Sequence, residues 1–527
     1  MGKILPNCKK FCQREAVKYM FKKTIFIVSF LAIFSCFFGV NVFPVQALTA
    51  EEPAVEAGEE EAQFEGYIVE YKEKPLMTRW QELGGEEMTG TSAAFYNMFR
   101  TMAEIGSEIN KLYLNTVVSS LNTKTREEFK STFNGISLDI SLEEAEEVEK
   151  LSFVKNVTPN YEVYALLTES VPLINADDVW NLGYTGKGKT IAIIDTGIDY
   201  THPDLGGCFG TGCKVVGGFD FVSGDSDPMD DHGHGTHCAG IAAGSGALKG
   251  VAPDAKLLAY KVLSAGGSGS FDQVIAGVER AVDPNNDGDY SDHADVISMS
   301  LGANMSSDGT DPLSIAVDNA VEQGVVAVVA AGNSGSKYFT VGSPGGSQKA
   351  ITVGATDKND QIASFSSRGP TTDGRVKPDV VAPGVYITSA IPKEGAAYSD
   401  PSGYKTWSGT SMSTPHVAGA ATLILDANPS MPLGWSAPKF VKNSLISTAV
   451  DVGYNVYTQG GGRIDVAQAI DPKILIDPAT VSLVTATEPI TFTFYNLDKT
   501  EHVLNLKASL ADYQGANLSG KVSLAPS

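Results

Sequence analysis

The chain has 527 residues, enough for several domains, and 43% of them are hydrophobic while 19% are charged. That balance is typical of a globular protein and excludes an intrinsically disordered one. The formal net charge of −23 argues against nucleic acid as a partner, because duplex binding needs a basic face.

The amino-terminal residues have the pattern of a secretory signal peptide. Two lysines precede an apolar run over residues 25–40, and small residues follow at 45–47. We expect residues 1–47 to be cleaved off, with Met20 as an alternative start, so that the protein is secreted and extracellular. A single anchor helix is the competing interpretation. Residues 48–65, which are rich in Glu and Ala, predict a flexible leader.

The sequence from 66 to 166 predicts a small α+β module. Strands are indicated by runs of β-branched and alternating residues, and helices by apolar residues three and four apart. In chain order, the predicted elements are strand Tyr67–Tyr71, helix Glu104–Leu121, strand Phe133–Ile140, helix Leu142–Leu151 and a last strand from Val154. Strands and helices in this order suit a module of roughly 100 residues.

Residues 167–472 predict an α/β domain with a parallel sheet. Short apolar and β-branched runs, which suit buried parallel strands, alternate there with helical segments. The predicted strands are Ile191–Ile194, Lys256–Leu263, Val296–Ser300, Val325–Ala330 and Ile351–Ala355. Ser270 with Gln273 predicts a capping box that opens one helix, and Asp311–Pro312 with Gly324 brackets another.

Residues 473–527 change to a β pattern. Ile490–Tyr495 alternates, a turn follows at Asn496–Asp498, and His502–Leu506 forms another apolar run. The segment resembles the start of a fibronectin-like sandwich, and it is about half as long as such a domain.

The cysteines outside the predicted signal peptide are few. Cys208 and Cys213 flank the Gly-rich loop Phe209–Gly212, and we expect them to form a disulfide in an oxidising compartment. Cys238 lies in an apolar helical stretch and is predicted to be an inert core residue.

Three short motifs supply an acid, a base and a nucleophile. Asp195 ends an apolar strand, His234 is flanked by two glycines, and Ser411 stands directly before a helical pattern. A serine hydroxyl attacks only when a base takes its proton, and a helix amino terminus favours developing negative charge. A lone serine in this position is usually an N-cap. The cluster of His232, His234 and His237 has zinc binding as a rival interpretation.

The order Asp, His, Ser and the surrounding sequences resemble the subtilisin-like serine peptidases. The strings that carry the likeness are Ile191–Gly197, His234–His237 and Gly409–His416. The resemblance implies a subtilisin-like parallel sheet flanked by helices, with Asp195, His234 and Ser411 as the catalytic triad. It also implies that the preceding α+β module is an inhibitory propeptide, and that catalysis uses no cofactor.

The resemblance further assigns residues that bind the substrate. The side-chain amide of Asn333 and the backbone N–H of Ser411 would stabilise the oxyanion. The substrate-binding residues would be the edge strand Ser300, Leu301 and Gly302, with Ala331, Gly332 and Gly342 around the primary specificity pocket. No acidic residue is evident in that pocket, so we expect apolar residues before the cut.

The expected activity is cleavage of proteins and peptides by a monomeric enzyme, made as a self-processing precursor. The alternative is a catalytically inactive relative that binds surfaces through its β-rich tail. The four filled catalytic positions argue against this alternative.

A structural calcium ion is expected at a position that differs from the family's common one. The loop between residues 240 and 250 is shorter than the usual calcium loop, which makes Asp204 a doubtful ligand. A later acidic segment resembles half of a calcium loop, and its candidate ligands are Asp283, Asn285, Asp287, Asp289 and Asp292. A plain acidic turn is the alternative and stays open.

Overall fold

The fold comes from a computed structural model, which describes residues 64–504 apart from 77, 80–91, 119–120, 131–132, 166–169, 304, 483–490 and 499. These residues belong to one compact unit. The predicted signal peptide and nearly all of the predicted leader lie outside the described residues. Within the described ranges, no helix is long and apolar enough to cross a membrane.

The amino-terminal module is an antiparallel sheet with helices on one face. Its elements are β1 (Phe64–Tyr71), α1 (Ser92–Leu114), α2 (Leu121–Lys124), β2 (Thr125–Phe129), β3 (Gly135–Leu138), α3 (Leu142–Glu149) and β4 (Val154–Ala165). The strand order is β4-β1-β3-β2. The predicted strands and helices of this module are confirmed, although α1 begins and ends earlier than expected. Strand β2 was not predicted, because its sequence Thr-Arg-Glu-Glu-Phe is mostly charged.

The two faces of strand β1 bury different partners. Tyr67 and Val69 point into the module's own core, where they pack with Leu114 and Val148 from its helices. Ile68 points the other way and packs with the helices of the following domain. Alternation along the strand therefore serves two cores at once, since successive side chains leave a strand on opposite faces.

The following domain is built on a parallel sheet of seven strands. The strands of the domain are β5 (Thr190–Asp195), β6 (Val215–Asp220), β7 (Lys256–Lys261), β8 (Ser268–Ser270), β9 (Val296–Met299), β10 (Leu301–Gly302), β11 (Val326–Ala330), β12 (Ile351–Thr356), β13 (Val380–Pro383), β14 (Ile387–Ala390) and β15 (Tyr404–Trp407). The seven strands of the parallel sheet lie in the order β13-β12-β11-β9-β5-β7-β6. The α/β class and all five predicted strands are confirmed. The edge strands β6 and β13 were missed, because β6 carries a Gly pair and β13 runs into Pro383.

Helices cover both faces of this sheet. They are α4 (Ala176–Asn181), α5 (His234–Ala243), α6 (Phe271–Val282), α7 (Pro312–Glu322), α8 (Thr410–Ala427), α9 (Ala437–Ser447), α10 (Val456–Gln459) and α11 (Val466–Ala469). Helices α5 and α8 pack in one core, and α6 and α7 pack in the other. The predicted capping box at Ser270 and Gln273 is present at the start of α6, and Asp311 caps α7 as expected.

The carboxyl-terminal part of the described chain adds a two-stranded antiparallel sheet. Strand β16 (Ile474–Asp477) pairs with β17 (Thr493–Asn496). Strand β17 overlaps the predicted strand Ile490–Tyr495. The second strand expected after it is not present in residues 500–504, which include the part of it that the structure describes. Leu475 of β16 is fully buried in the main core. The remainder of the predicted β segment lies outside the described residues.

Candidate active site

Asp195 lies at the carboxyl end of β5, the central region of the sheet where open α/β folds place their sites. Its side chain is buried. The oxygen Oδ1 accepts a hydrogen bond from the backbone N–H of Thr196 at 2.7 Å and from Nδ1 of His234, also at 2.7 Å. The acid and the base of the sequence motifs are therefore in direct contact.

His234 is the first residue of α5 and is fully buried. Burial alone would lower the pKa of its imidazole, but the adjacent carboxylate of Asp195 raises the pKa well above its ordinary value. Burial lowers the pKa of His232 to about 4 and that of His237 to about 3, so both neighbouring rings stay neutral at neutral pH. Within the described residues, a carboxylate lies within hydrogen-bonding distance of His234 but not of His232 or His237.

Cys238 lies against His234, the candidate base. It is buried and free, as predicted for a core residue, and its sulfur is 3.9 Å from both ring nitrogens of His234. Burial raises the pKa of the thiol, so the group stays protonated. The contact with the imidazole was not predicted, although the spacing of four residues within a helix was the available signal, since residues four apart are neighbours on a helix surface.

The zinc alternative required His232, His234 and His237 to act together, and the structure does not bring these three into one group of potential ligands. Within the described chain, the one group of at least three potential ligands with donor atoms within 4.8 Å of one another is Asp195, His234 and Cys238. His237 instead uses Nε2 to contact the backbone oxygen of Lys405.

Ser411 lies in the first turn of α8, which begins at Thr410, two residues earlier than the sequence indicated. Its hydroxyl donates to the backbone oxygen of Ser300 at 2.9 Å, and the Ser300 hydroxyl donates to the backbone oxygen of Ser411 at 2.6 Å. The N–H groups of a first helical turn have no partner within the helix. The nucleophile candidate is thus held beside Ser300 and at the amino terminus of a helix.

A cavity of about 110 Å³ opens next to Ser411. The sequence-predicted residues Leu301, Gly302, Ala331, Gly332, Asn333 and Gly342 all line it. None of the described lining residues is charged, which suits an apolar side chain.

Asn333 presents one defined end of its amide to this cavity. Its oxygen Oδ1 accepts hydrogen bonds from the backbone N–H of Thr410 at 2.9 Å and from the Thr410 hydroxyl at 3.3 Å. With the oxygen engaged, the NH₂ group is the end that remains as a donor. The arrangement places a donor amide in the same cavity as Ser411.

Strand β4 of the amino-terminal module runs through the cleft between two short edge strands. Its residues Glu162–Tyr164 pair antiparallel with β8, and Tyr164–Ala165 pair antiparallel with β10. The substrate-binding strand that corresponds to β10 was predicted from the sequence.

Strand β8 was missed, because it is only three residues long. The run Gly266-Gly267-Ser268-Gly269 was the available signal. A Cβ on Gly269 would lie 2.1 Å from the backbone oxygen of Val262, so only glycine allows this close approach.

Asp204, the residue that the sequence made a doubtful calcium ligand, bonds to groups of the protein. The carboxylate of Asp204 accepts hydrogen bonds from the backbone N–H groups of Ala247 and Leu248 and from the Tyr404 hydroxyl. These three donors compensate the carboxylate within the chain, and whether Asp204 takes part in calcium binding stays a prediction.

The later acidic segment forms a tight turn. Asp283 accepts from the backbone N–H groups of Asp287 and Gly288, and Asn285 donates to Asp292. Burial and then neighbouring carboxylates raise the pKa of Asp292. The donor set is rich in the oxygens that calcium prefers, so the residues fit such an ion, and calcium binding stays a prediction.

The disulfide candidates are bonded to each other. Cys208 and Cys213 form a disulfide with a Cα–Cα separation of 5.6 Å. The bond closes the loop before β6.

Comparison with known proteins gives one consistent family. The subtilase family profile matches residues 186–465. Serine protease AprX of Bacillus subtilis (strain 168) is 43% identical over 59% of this chain and 75% of its own length. Subtilisin E of the same organism is 37% identical over 70% of this chain and 88% of its own. Minor extracellular protease Vpr, also from that strain, is 32% identical over 68% of this chain and 63% of its own.

Proposed function

Because this chain belongs to the subtilase family and is a serine-type endopeptidase, we propose that Asp195, His234 and Ser411 are its catalytic triad. The observation that carries the proposal is the 2.7 Å contact between Nδ1 of His234 and Oδ1 of Asp195. This contact engages Nδ1 of the ring, and we therefore assign the role of base to Nε2. All three side chains come from one chain, so a monomer suffices.

The chemical step starts from the hydroxyl of Ser411. The hydroxyl gives up its bond to the backbone oxygen of Ser300 and transfers its proton to Nε2 of His234 as it attacks the peptide carbonyl. Asp195 stabilises the imidazolium that forms. His234 then returns the proton to the leaving amine, which frees the first product and leaves an acyl-enzyme for water to hydrolyse.

The oxyanion forms beside two donors. We assign them to the NH₂ group of Asn333 and the backbone N–H of Ser411. Thr410 bonds to the amide oxygen of Asn333, so the NH₂ group is the end of the amide that can donate to the oxyanion. Losing one such donor typically costs on the order of 10²–10³ in rate. The uncharged cavity next to them supports a preference for an apolar residue before the cut.

We propose that residues 66–166 are an inhibitory propeptide that the enzyme removes itself. The support is the position of β4, whose end pairs with β8 and β10 as an extended substrate would. Ala165 lies opposite Leu301 in an antiparallel register. Leu301 follows Ser300, which contacts the nucleophile, so we expect cleavage within a few residues after Ala165, near residue 166.

Secretion and calcium binding complete the proposal. The signal-peptide pattern and the name of one relative, an extracellular protease, support export of this chain. The oxygen-rich turn from Asp283 to Asp292 supports a structural calcium ion.

A labelling experiment tests the central assignment. An organophosphorus fluoride should modify the secreted protein on Ser411, located by peptide mapping, and Ser411→Ala should take up no label. Amino-terminal sequencing of the secreted product should find a start close to residue 167. A wild-type protein that takes up no label and cleaves no peptide would favour the inactive, surface-binding alternative.

A further inference from the structure

Asp230 is a buried carboxylate close to the triad that the mechanism above does not use. It is 3% exposed and lies in the loop that leads into α5, four residues before His234. A buried carboxylate is costly unless several donors compensate for the lost water, so its partners indicate what the residue does.

Five hydrogen bonds converge on this one carboxylate. Oδ1 accepts from the Thr196 hydroxyl at 2.8 Å and from the backbone N–H groups of His232 and Gly233 at 3.0 and 2.8 Å. Oδ2 accepts from the backbone N–H of Thr236 at 2.9 Å and from its hydroxyl at 2.5 Å. The donors come from the segment after β5, the loop before α5 and the first turn of α5.

The hydroxyls of Thr196 and Thr236, which donate to Asp230, also accept hydrogen bonds. These bonds link the segment after β5 to the start of α5. Thr196 accepts from the backbone N–H of Gly235 at 2.8 Å, and Thr236 accepts from the backbone N–H of Asp199 at 2.8 Å. The backbones touch here as well, since a Cβ on Gly235 would lie 2.1 Å from the backbone oxygen of Gly197. Thus the segment that starts with Asp195 is joined to the helix that starts with His234.

We propose that Asp230 is a positioning residue for the peptidase reaction, which sets the contact between Asp195 and His234 by tying the end of β5 to the start of α5. This inference rests on the proposed function. Asp230 acts through the two triad members and not on the substrate. A shift of about 1 Å in such a site can cost on the order of 10²-fold in rate.

Two substitutions break this connection in different ways. Asp230→Asn places an NH₂ group where the carboxylate now accepts from donors, so at least one of the five bonds is lost. Thr196→Val keeps the shape and charge of the site but removes both the bond to Asp230 and the bond from Gly235. Thr196→Ser retains both bonds and is the conservative rescue. Asp318→Asn is the matched control, because Asp318 is a buried carboxylate that organises the remote loop Ser347–Lys349.

The full chain is used, and kcat and KM are measured on a short chromogenic peptide, with circular dichroism to determine the folded fraction. We expect Asp230→Asn and Thr196→Val to lower kcat by about 10²-fold, with little change in KM, while Thr196→Ser recovers most of the loss. Asp318→Asn should keep the wild-type kcat.

The proposal is overturned when both Thr196→Val and Asp230→Asn keep a near wild-type kcat, or when Asp318→Asn loses kcat to the same extent. If Asp230→Asn does not fold, the comparison of Thr196→Val with Thr196→Ser decides alone. A wild-type chain without peptidase activity overturns the proposed function itself, and so this outcome is distinct from a failure of the positioning role.

Discussion

Asn160 offers a sharp test of the proposal that the amino-terminal module inhibits the enzyme. This residue of β4 is fully buried. Its NH₂ group donates to the carboxylate of Asp272 in α6 at 3.0 Å, and its side-chain oxygen accepts from the backbone N–H of Asp272 at 3.2 Å. Asn160→Ala removes both bonds across the boundary between the module and the enzyme.

The size of the effect follows from the types of bond. A bond to a charged group contributes about 1.5–3 kcal/mol and a neutral one about 1 kcal/mol, so the loss is roughly 2.5–4 kcal/mol. At about 1.4 kcal/mol per factor of ten, the inhibition constant should rise by about 10²–10³-fold. No solvent screening reduces this figure, because both partners are buried.

The assay is inhibition of the mature enzyme by the separately expressed module, residues 66–166. The wild-type module should inhibit the enzyme, and Asn160→Ala should inhibit it much more weakly. Asn156→Ala is the matched control: Asn156 lies on the same strand and bonds within the module to Thr158. Equal inhibition constants for all three modules would refute the reasoning that these two bonds hold the module in place.

Three further predictions concern the enzyme itself. Ser411→Ala should lower kcat by about 10⁶-fold and leave an unprocessed precursor on a denaturing gel; activity near wild type would contradict the nucleophile assignment. Because the pKa of His234 is raised and only its neutral form acts as base, kcat/KM should rise with pH through an ionisation above the ordinary imidazole value, and a rate that falls from acid to neutral pH would indicate carboxylate chemistry. Calcium that binds only the folded state should add about 2.7 kcal/mol of stability at a hundredfold excess over Kd; a chelator should lower the melting temperature of wild type but not of Asp287→Ala, and an equal loss in both would locate the ion elsewhere.

The features that the sequence predicted best are those with strong local signals. The central strands, the caps at Ser270 and Asp311, and the place of Asp195 at a strand end all follow from patterns within a few residues. The missed features depend on contacts far along the chain. Strand β8 exists only because β4 pairs with it from a distant segment, and Asp230 gathers donors from both sides of a strand-to-helix connection. The glycine run at β8 is the one local signal for that strand, and Asp230 has no local pattern that separates it from an ordinary loop residue.

The pairing of β4 with both β8 and β10 has a consequence for the substrates of the mature enzyme. A chain that takes this place must offer backbone groups along both edges, so it cannot be part of a helix or an existing sheet while it is bound. For a compact target, the cut therefore waits until a stretch of several residues opens locally. The degradation rate of a stable folded protein should then be proportional to the equilibrium population of the locally opened state. Mutations that destabilise the target should speed its degradation even when the cut sequence is unchanged, and a rate that ignores target stability would contradict this requirement.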